Sequence, residues 1–486
     1  MDIFNHGENE MKSKRFSLPL LTALAVSFSL AVCAEAQTFT ILAGFSGGNG
    51  SAPFYGSLIQ ATNGNYYGTT HEGGKYNGGT VFQVTPAGKL NDIYSFCAKT
   101  NCTDGQNPWS ALVLGSDGNL YGTTNVGGSY GSGTVFKMTI GGKLTTLYSF
   151  CPVAGCADGQ YPVGLMQASN GNFYGTTSDA AGNQQTGTIF EISSVGKFKL
   201  LYTFCSKSHC TDGGFPLSGP VQASNGNLYG TTSLGGAHSS GTVYEITTAG
   251  LFKTLYSFCV QANCADGLTP FGGLIQDSIG NLYGTTQYGG AKGFGAVFEI
   301  TTTNQLIILH SFNSTDGAYP LSALILGSDG NFYGTTDGGG VAQNAGTIYE
   351  ITSAGVFSSL YSFCTASGCT GFYPGYALGQ ATNGEFIGTT TNSGSGYGTV
   401  YSYATGLGAF VQTVPKAAKV GKRVIILGNG LTGSTGVTFN GTSATFTVVS
   451  DTEITTTVPT GATTGTVTVT TPAGTLNSNP VFQVLK

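Results

Sequence analysis

Charge is what this chain has least of. Only 8% of its 486 residues are Asp, Glu, Lys or Arg, against about 25% in an average soluble domain. No run of Lys and Arg is present to neutralise phosphates and the net charge is −5, which excludes nucleic acid as a partner. Beyond the N-terminal segment there is no stretch of the ~18 apolar residues that a membrane helix requires. No window carries the i, i+3, i+4, i+7 apolar pattern of an amphipathic helix. A nucleophile elbow, a Gly-rich phosphate loop, HExxH and a D-x-D-x-D-G calcium loop are all missing. What is abundant is Gly, with 78 residues, and a hydrophobic share of 40%. That share excludes a disordered chain, which needs low hydrophobicity and high charge.

The N-terminus has the layout of an export signal. Lys12, Lys14 and Arg15 precede the apolar run SLPLLTALAVSFSLAV, and A-E-A at 34–36 supplies the small residues of a cleavage site between Ala36 and Gln37. Met11 is an alternative start. Lipid attachment at Cys33 is disfavoured by Val32 before it. The mature protein is expected to be exported, with no transmembrane segment.

The phrase YGTT then recurs. Its tyrosine falls at Tyr67, Tyr121, Tyr174, Tyr229, Tyr283 and Tyr333, and a seventh copy puts Ile387 there. The intervals run from 50 to 55 residues, a period that dictates the fold. Each unit holds four short runs rich in β-branched and aromatic residues. In the second unit these are PWSALVLG, NLYGTT, GTVFKMT and KLTTLYSF. Asn-Gly or Asp-Gly joins the first two runs in six units, at Asn63, Asp117, Asn170, Asn225, Asp329 and Asn383, and predicts type I′ hairpins. Four antiparallel strands repeated seven times predict an all-β seven-bladed β-propeller rather than a solenoid. TFTILAGF at 38–45 matches a fourth run, whereas the seventh unit ends after its third. The N-terminal strand is therefore expected to complete the last blade and remove the open edge.

Apart from Cys33, the cysteines form five equally spaced pairs: Cys97 and Cys102, Cys151 and Cys156, Cys205 and Cys210, Cys259 and Cys264, Cys364 and Cys369. Each follows a fourth run. The two loops of this class without cysteines, from Ser46 and from Asn313, are also shorter. Length and cysteines coming and going together points to disulfides closing small loops, in keeping with export. Two ligands per loop are too few for zinc.

GNLYGTT, GTVFKMT, TLYSFC and DG..P together resemble the GloVer (Gloeo/Verruco) repeat of exported bacterial proteins, over about residues 38–405. The resemblance implies a propeller-like array at or beyond the cell surface, no known activity and no catalytic residues. From about Ala409, KVGKRVIILGNGLTG and the strands after it resemble an IPT/TIG domain, an immunoglobulin-like fold, and about six short alternating strands suit a β-sandwich. The expected organisation is a signal peptide at 1–36, the propeller at 37–408 and the IPT/TIG domain at 409–486.

In a propeller, the loops between runs two and three and those between run four and the next blade open on one face. Asp104, Asp158, Asp212, Asp266 and Asp316 recur there, and an aromatic flanks the next proline at Trp109, Tyr161, Phe215, Tyr319 and Tyr373. One reading is a carboxylate and aromatic rim for sugars or cations. The other is Asp-Gly turn chemistry with aromatics covering the strand entry, and recurrence in nearly every blade favours it. Residues that break the repeat are His71 and Glu72, then Asp179, His238 and Asp337 in the equivalent loops, and His209 inside a cysteine loop. They are candidates for acid–base chemistry only if they converge, and are otherwise surface polar residues. No cofactor or metal is implied. The expected function is that of an exported, non-catalytic binding or structural protein of the bacterial envelope or extracellular space, binding a polysaccharide or a surface protein. The alternative is a carbohydrate-active lyase or hydrolase working on the propeller face.

Overall fold

Each repeat folds into one antiparallel sheet because its runs are too short for anything but a meander. In the first blade the strands are Ile59–Gln60, Tyr66–Thr70, Thr80–Val84 and Leu90–Ser95. The computed structural model describes residues 37–485, except 55, 181–185, 342–343, 366–368, 370, 375–377 and 394–395. The expected signal peptide at 1–36, with Cys33, lies outside the described residues. Among the described residues there is no α-helix, and seven sheets of this kind precede the C-terminal strands. The strand Thr38–Gly44 pairs antiparallel with Thr399–Ala404, Thr38 opposite Ala404 and Gly44 opposite Thr399. The fourth strand of the last blade is thus supplied from the other end of the repeat region.

The turns joining the first two strands differ from the type I′ expectation. Only the glycines have positive φ, for example 77° at Gly64 and 79° at Gly118, and the preceding Asn or Asp does not. The Gly64 N–H donates to the carbonyl of Ala61 (2.9 Å), which makes a type I turn followed by a left-handed glycine. The side chain explains this. Asn63 Oδ1 accepts the N–H of Asn65 and Asn63 Nδ2 donates to the Tyr67 hydroxyl (2.8 Å), so Asn63 is held in its ordinary conformation.

Neighbouring blades pack through aromatic and aliphatic side chains. Tyr67 and Val81 of the first meet Leu120 and Phe136 of the second, and Leu58 and Phe82 of the first meet Ile387 and Val400 of the seventh. The repeated phrase supplies the rest of the joint. The first threonine of YGTT bonds to the next blade: Thr69, Thr176, Thr231 and Thr285 donate to the carbonyls of Ser110, Ser218, Gly272 and Ser322, and Thr389 donates to Pro53 (2.9–3.2 Å). The second threonine pairs with that of the third strand, as in Thr70 with Thr80 and Thr390 with Thr399 (2.9 and 2.7 Å). The glycine is required by close approach. A Cβ on Gly122, Gly230 or Gly388 would lie 2.3–2.6 Å from the side chain of Phe136, Tyr244 or Tyr401.

The C-terminal strands form a sandwich. One sheet runs Gln412–Val414, Arg423–Leu427, Glu453–Thr457 and Phe446–Ser450; the other runs Thr442–Ser443, Gly436–Phe439, Val467–Thr471 and Gly474–Asn477. In the strand Arg423–Leu427, period-two alternation serves two interiors. Val424 and Ile426 enter the sandwich core with Val437, Phe439 and Ile454. Ile425 and Leu427 join the cluster of the first two blades that contains Leu114 and Met138.

The docking face is the end carrying the turns between strands one and two. There Gln60, Gln167, Gln222, Gln276 and Gln380 each accept a main-chain N–H from the preceding blade, at Thr382, Ser116, Ser169, Ser224 and Ser328 (2.8–3.0 Å). The second and sixth blades carry Leu114 and Leu326 instead. Leu114 packs in the cluster with Ile425 and Leu427; the Leu326 side chain packs between the fifth and sixth blades, and its main-chain carbonyl accepts from Asn479 Nδ2 (2.9 Å). Thr452 donates to the Thr62 carbonyl (2.7 Å) and Phe410 N–H to the Thr382 carbonyl (3.0 Å).

Candidate binding face

The opposite end of the propeller carries the loops between strands two and three and those leading to the next blade. Five disulfides, Cys97–Cys102, Cys151–Cys156, Cys205–Cys210, Cys259–Cys264 and Cys364–Cys369, lie in the latter. The carbonyl of the second cysteine ties the two loop classes together. That of Cys102 accepts from Gly105 N–H (2.8 Å) and Gly128 N–H (2.9 Å), and those of Cys210 and Cys264 accept in the same way. In the two loops without cysteine, Gly47 and Ser314 take this role for Gly74 and Gly340 (2.9 and 2.8 Å). The disulfides therefore brace inserted loop length around a tie that exists without them.

The recurrent aspartates do not form a rim. Asp104, Asp212 and Asp266 are fully buried. Each accepts the hydroxyl of the tyrosine in the preceding YSF or YTF, at Tyr94, Tyr202 and Tyr256 (2.7–2.8 Å), and two loop N–H groups. Asp158 does the same with Tyr148 and Cys151 N–H (2.9 and 3.1 Å), and Asp316 with His310 and Asn313 N–H (3.1 and 3.0 Å). Their donors come from the protein's own loops, so the carboxylates organise those loops rather than face a ligand.

The aromatics beside the prolines divide. Tyr161, Phe215, Tyr319 and Tyr373 precede the proline and have left-handed backbones, with φ from 54° to 59°. Trp109 follows its proline and stands edge-on to His71 (ring centroids 5.2 Å apart), which Phe54 approaches from its own blade (5.9 Å). His71 Nδ1 is 3.8 Å from Glu72 Oε1. Burial lowers the imidazole pKa against the opposing pull of Glu72, so His71 is neutral at pH 7. Asp337 is largely buried, and desolvation raises its pKa to about 6. Asp179 accepts from Gln160 Nε2 (3.0 Å) and Ala180 N–H (2.7 Å). His209 and His238 are exposed. Among the described residues no hydrogen bond or ion pair joins His71, Asp179, His238 and Asp337 to one another, and no three His, Cys, Asp or Glu are grouped to hold a metal.

What sequence reasoning missed is a set of tyrosines, of which it had singled out only Tyr373. Among the described residues the exposed aromatic side chains are Tyr76, Tyr130, Tyr288, Tyr373 and Tyr397, 37–54% accessible. All five lie on this one face, Tyr288 at the end of the strand Leu282–Tyr288 and Tyr130 and Tyr397 in the Gly- and Ser-rich segments GGSYGSG and SGSGYG. The available signal was an aromatic inside a glycine-rich loop rather than inside a strand.

The sequence matches the Gloeobacter/Verrucomicrobia repeat over residues 25–218 and 205–401, and the IPT/TIG domain over residues 411–484. No curated protein matches it. Among solved structures, the extracellular domain of a hybrid two-component system from B. thetaiotaomicron is 11% identical with a TM-score of 0.50, covering 93% of this chain and 60% of that one. PorZ, a surface component of the type-IX secretion system of Porphyromonas gingivalis, is 15% identical with a TM-score of 0.46, covering 89% of this chain and 60% of that one. A 6-phosphogluconolactonase candidate from Bacteroides uniformis is 14% identical with a TM-score of 0.42, covering 63% of this chain and 83% of that one. At these identities the likeness is one of fold.

Proposed function

The chain belongs to the Gloeobacter/Verrucomicrobia repeat family, and we propose that it is an exported, non-catalytic binding protein of the bacterial envelope or its surroundings. Its ligand is a polysaccharide, and the loop face of the propeller holds it. The observation that carries this reading is the gathering of the five exposed tyrosines on that face. Tyrosine gives large, stiff, amphipathic contact area at small entropic cost, and Ser, Gly and Asn around it give adaptable hydrogen bonding, the composition of binding loops elsewhere. The opposite end is engaged by the IPT/TIG sandwich. Five disulfides support an oxidising, exported setting. Among the described residues no helix is long and apolar enough to cross a membrane.

A glycan array probed with the purified exported chain tests the reading. Binding is expected, and it should weaken when Tyr130 and Tyr397 are both replaced by Ser. An array without a bound glycan would remove the polysaccharide and leave a protein as the partner class.

A further inference from the structure

We propose that the cleft between the sixth blade and the IPT/TIG sandwich takes an extended peptide, held by strand addition to the open edge of Gly474–Asn477 and carrying a basic side chain toward Asp329. The site lies at the end of the propeller opposite the loop face and does not rest on the polysaccharide reading.

The cleft measures about 410 Å³, within the range of ligand sites, about 300–1,000 Å³. Ser328 and Asp329 of the sixth-blade turn form one wall, Thr475, Asn477 and Asn479 of the sandwich form the other, and Leu407 of the linker lies between them. The strand Gly474–Asn477 pairs on one side with Val467–Thr471 and ends its sheet. The linker begins to fill the other side. Val411 N–H donates to the Asn477 carbonyl (3.0 Å), and Asn479 N–H donates to the Val411 carbonyl (3.1 Å), a parallel bridge opposite Ser478. Ser478 N–H points the other way, to the Val467 carbonyl (2.8 Å). Alternation along the strand then turns the main-chain groups of Thr475 outward, like those of Asn477 and Asn479.

A linker that stayed on this edge would place Ala409 opposite Leu476. It leaves instead. Phe410 N–H donates to the Thr382 carbonyl of the seventh blade (3.0 Å), and among the described residues no main-chain bond joins Ala409 to the strand. The Thr475 carbonyl and the Asn477 N–H therefore face the cleft. One residue of an extended peptide, set where Ala409 would have been, meets both and continues the bridge that Val411 starts. The segment GTLN also carries neither Lys nor Pro, the residues that commonly blunt an exposed edge. The charge of the peptide follows from the wall. Asp329 is the one charged side chain lining the cleft, at a position that holds Asn63, Asn170, Asn225 and Asn383 in four other blades. A carboxylate there favours Lys or Arg on the incoming chain.

The test is selection from an immobilised library of random heptapeptides by the full chain, followed by Kd measurement on the selected peptides. The variants are Asn477→Pro, Asp329→Asn and, as a control outside the cleft, Asp117→Asn in the equivalent turn of the second blade. Asn477→Pro removes an outward N–H and no donor to Val467–Thr471; unchanged hydrogen exchange at Val411 shows the edge intact. Asp329→Asn installs the residue that other blades carry, and it decides the matter alone if the proline variant does not fold. Expected are peptides rich in β-branched residues with Lys or Arg, bound about tenfold more weakly by Asn477→Pro and Asp329→Asn and equally well by Asp117→Asn. Affinity unchanged in Asn477→Pro or in Asp329→Asn would overturn the proposal, and so would a library from which no peptide is retained. The glycan array reads the loop face separately, so failure here is distinguishable from failure of the polysaccharide reading.

Discussion

Replacing Ile425 by Ala should loosen the seat of the IPT/TIG sandwich on the propeller without unfolding either part. Ile425 is 1% exposed and packs with the cluster of the first two blades, whereas its neighbours Val424 and Ile426 fill the sandwich core. Truncation of a buried Ile to Ala costs about 2–5 kcal/mol. Here that loss falls on docking alone, so the population of the undocked form should rise about 30-fold to several thousand-fold. Hydrogen exchange reads this directly. The Phe410 amide donates across the joint to the Thr382 carbonyl, while the next amide, Val411, donates to Asn477 inside the sandwich. Exchange at Phe410 should accelerate by that factor, and exchange at Val411 and along Arg423–Leu427 should not. If Phe410 exchange stayed at its original rate, the docking role of Ile425 would be refuted. If Val411 accelerated equally, the mutation would have unfolded the sandwich and the division of the strand between two interiors would be wrong.

The other perturbations follow from single features. Removing the Cys205–Cys210 bridge with a double Ser substitution should cost about 2 kcal/mol by the loop-entropy relation, seen as a lower denaturation midpoint; a midpoint unchanged within error would remove the bracing role. Gly122→Ala should destabilise by about 1–3 kcal/mol, because its Cβ would lie 2.6 Å from the Phe136 ring, and unaltered urea unfolding would contradict the close-approach argument. Asp337 has a folded pKa raised from 3.8 to about 6, so between those values the folded state holds the proton more tightly than the unfolded one. Stability should fall as pH rises from 4 to above 6, by up to about 3 kcal/mol, and Asp337→Asn should flatten this part of the urea midpoint profile.

The meander was legible because its signals are local. Short β-branched runs between Asn-Gly turns read as strands, and a match between TFTILAGF and the fourth run is also a match in register, visible as Thr38–Gly44 on Thr399–Ala404. The structural reading of Asp104, Asp212 and Asp266 was legible too, since a residue needed by every blade belongs to what the blades share. The turn type was not, because it depends on whether Asn63 spends its side chain on Asn65 and Tyr67, a bond that composition does not encode. Nor, apart from Tyr373, were the exposed tyrosines: Tyr130 and Tyr397 stand out only as aromatics in Gly-rich segments, and Tyr288 ends a strand. RVIIL carried a stronger clue. A strand apolar on both faces reports two buried surfaces, and only one of them lies within the sandwich. The second meets the repeat where glutamine is lost at Leu114. The loss of the inter-blade glutamine at Leu114 thus marks a surface that the chain itself covers, with Ile425 and Leu427 opposite it completing the joint.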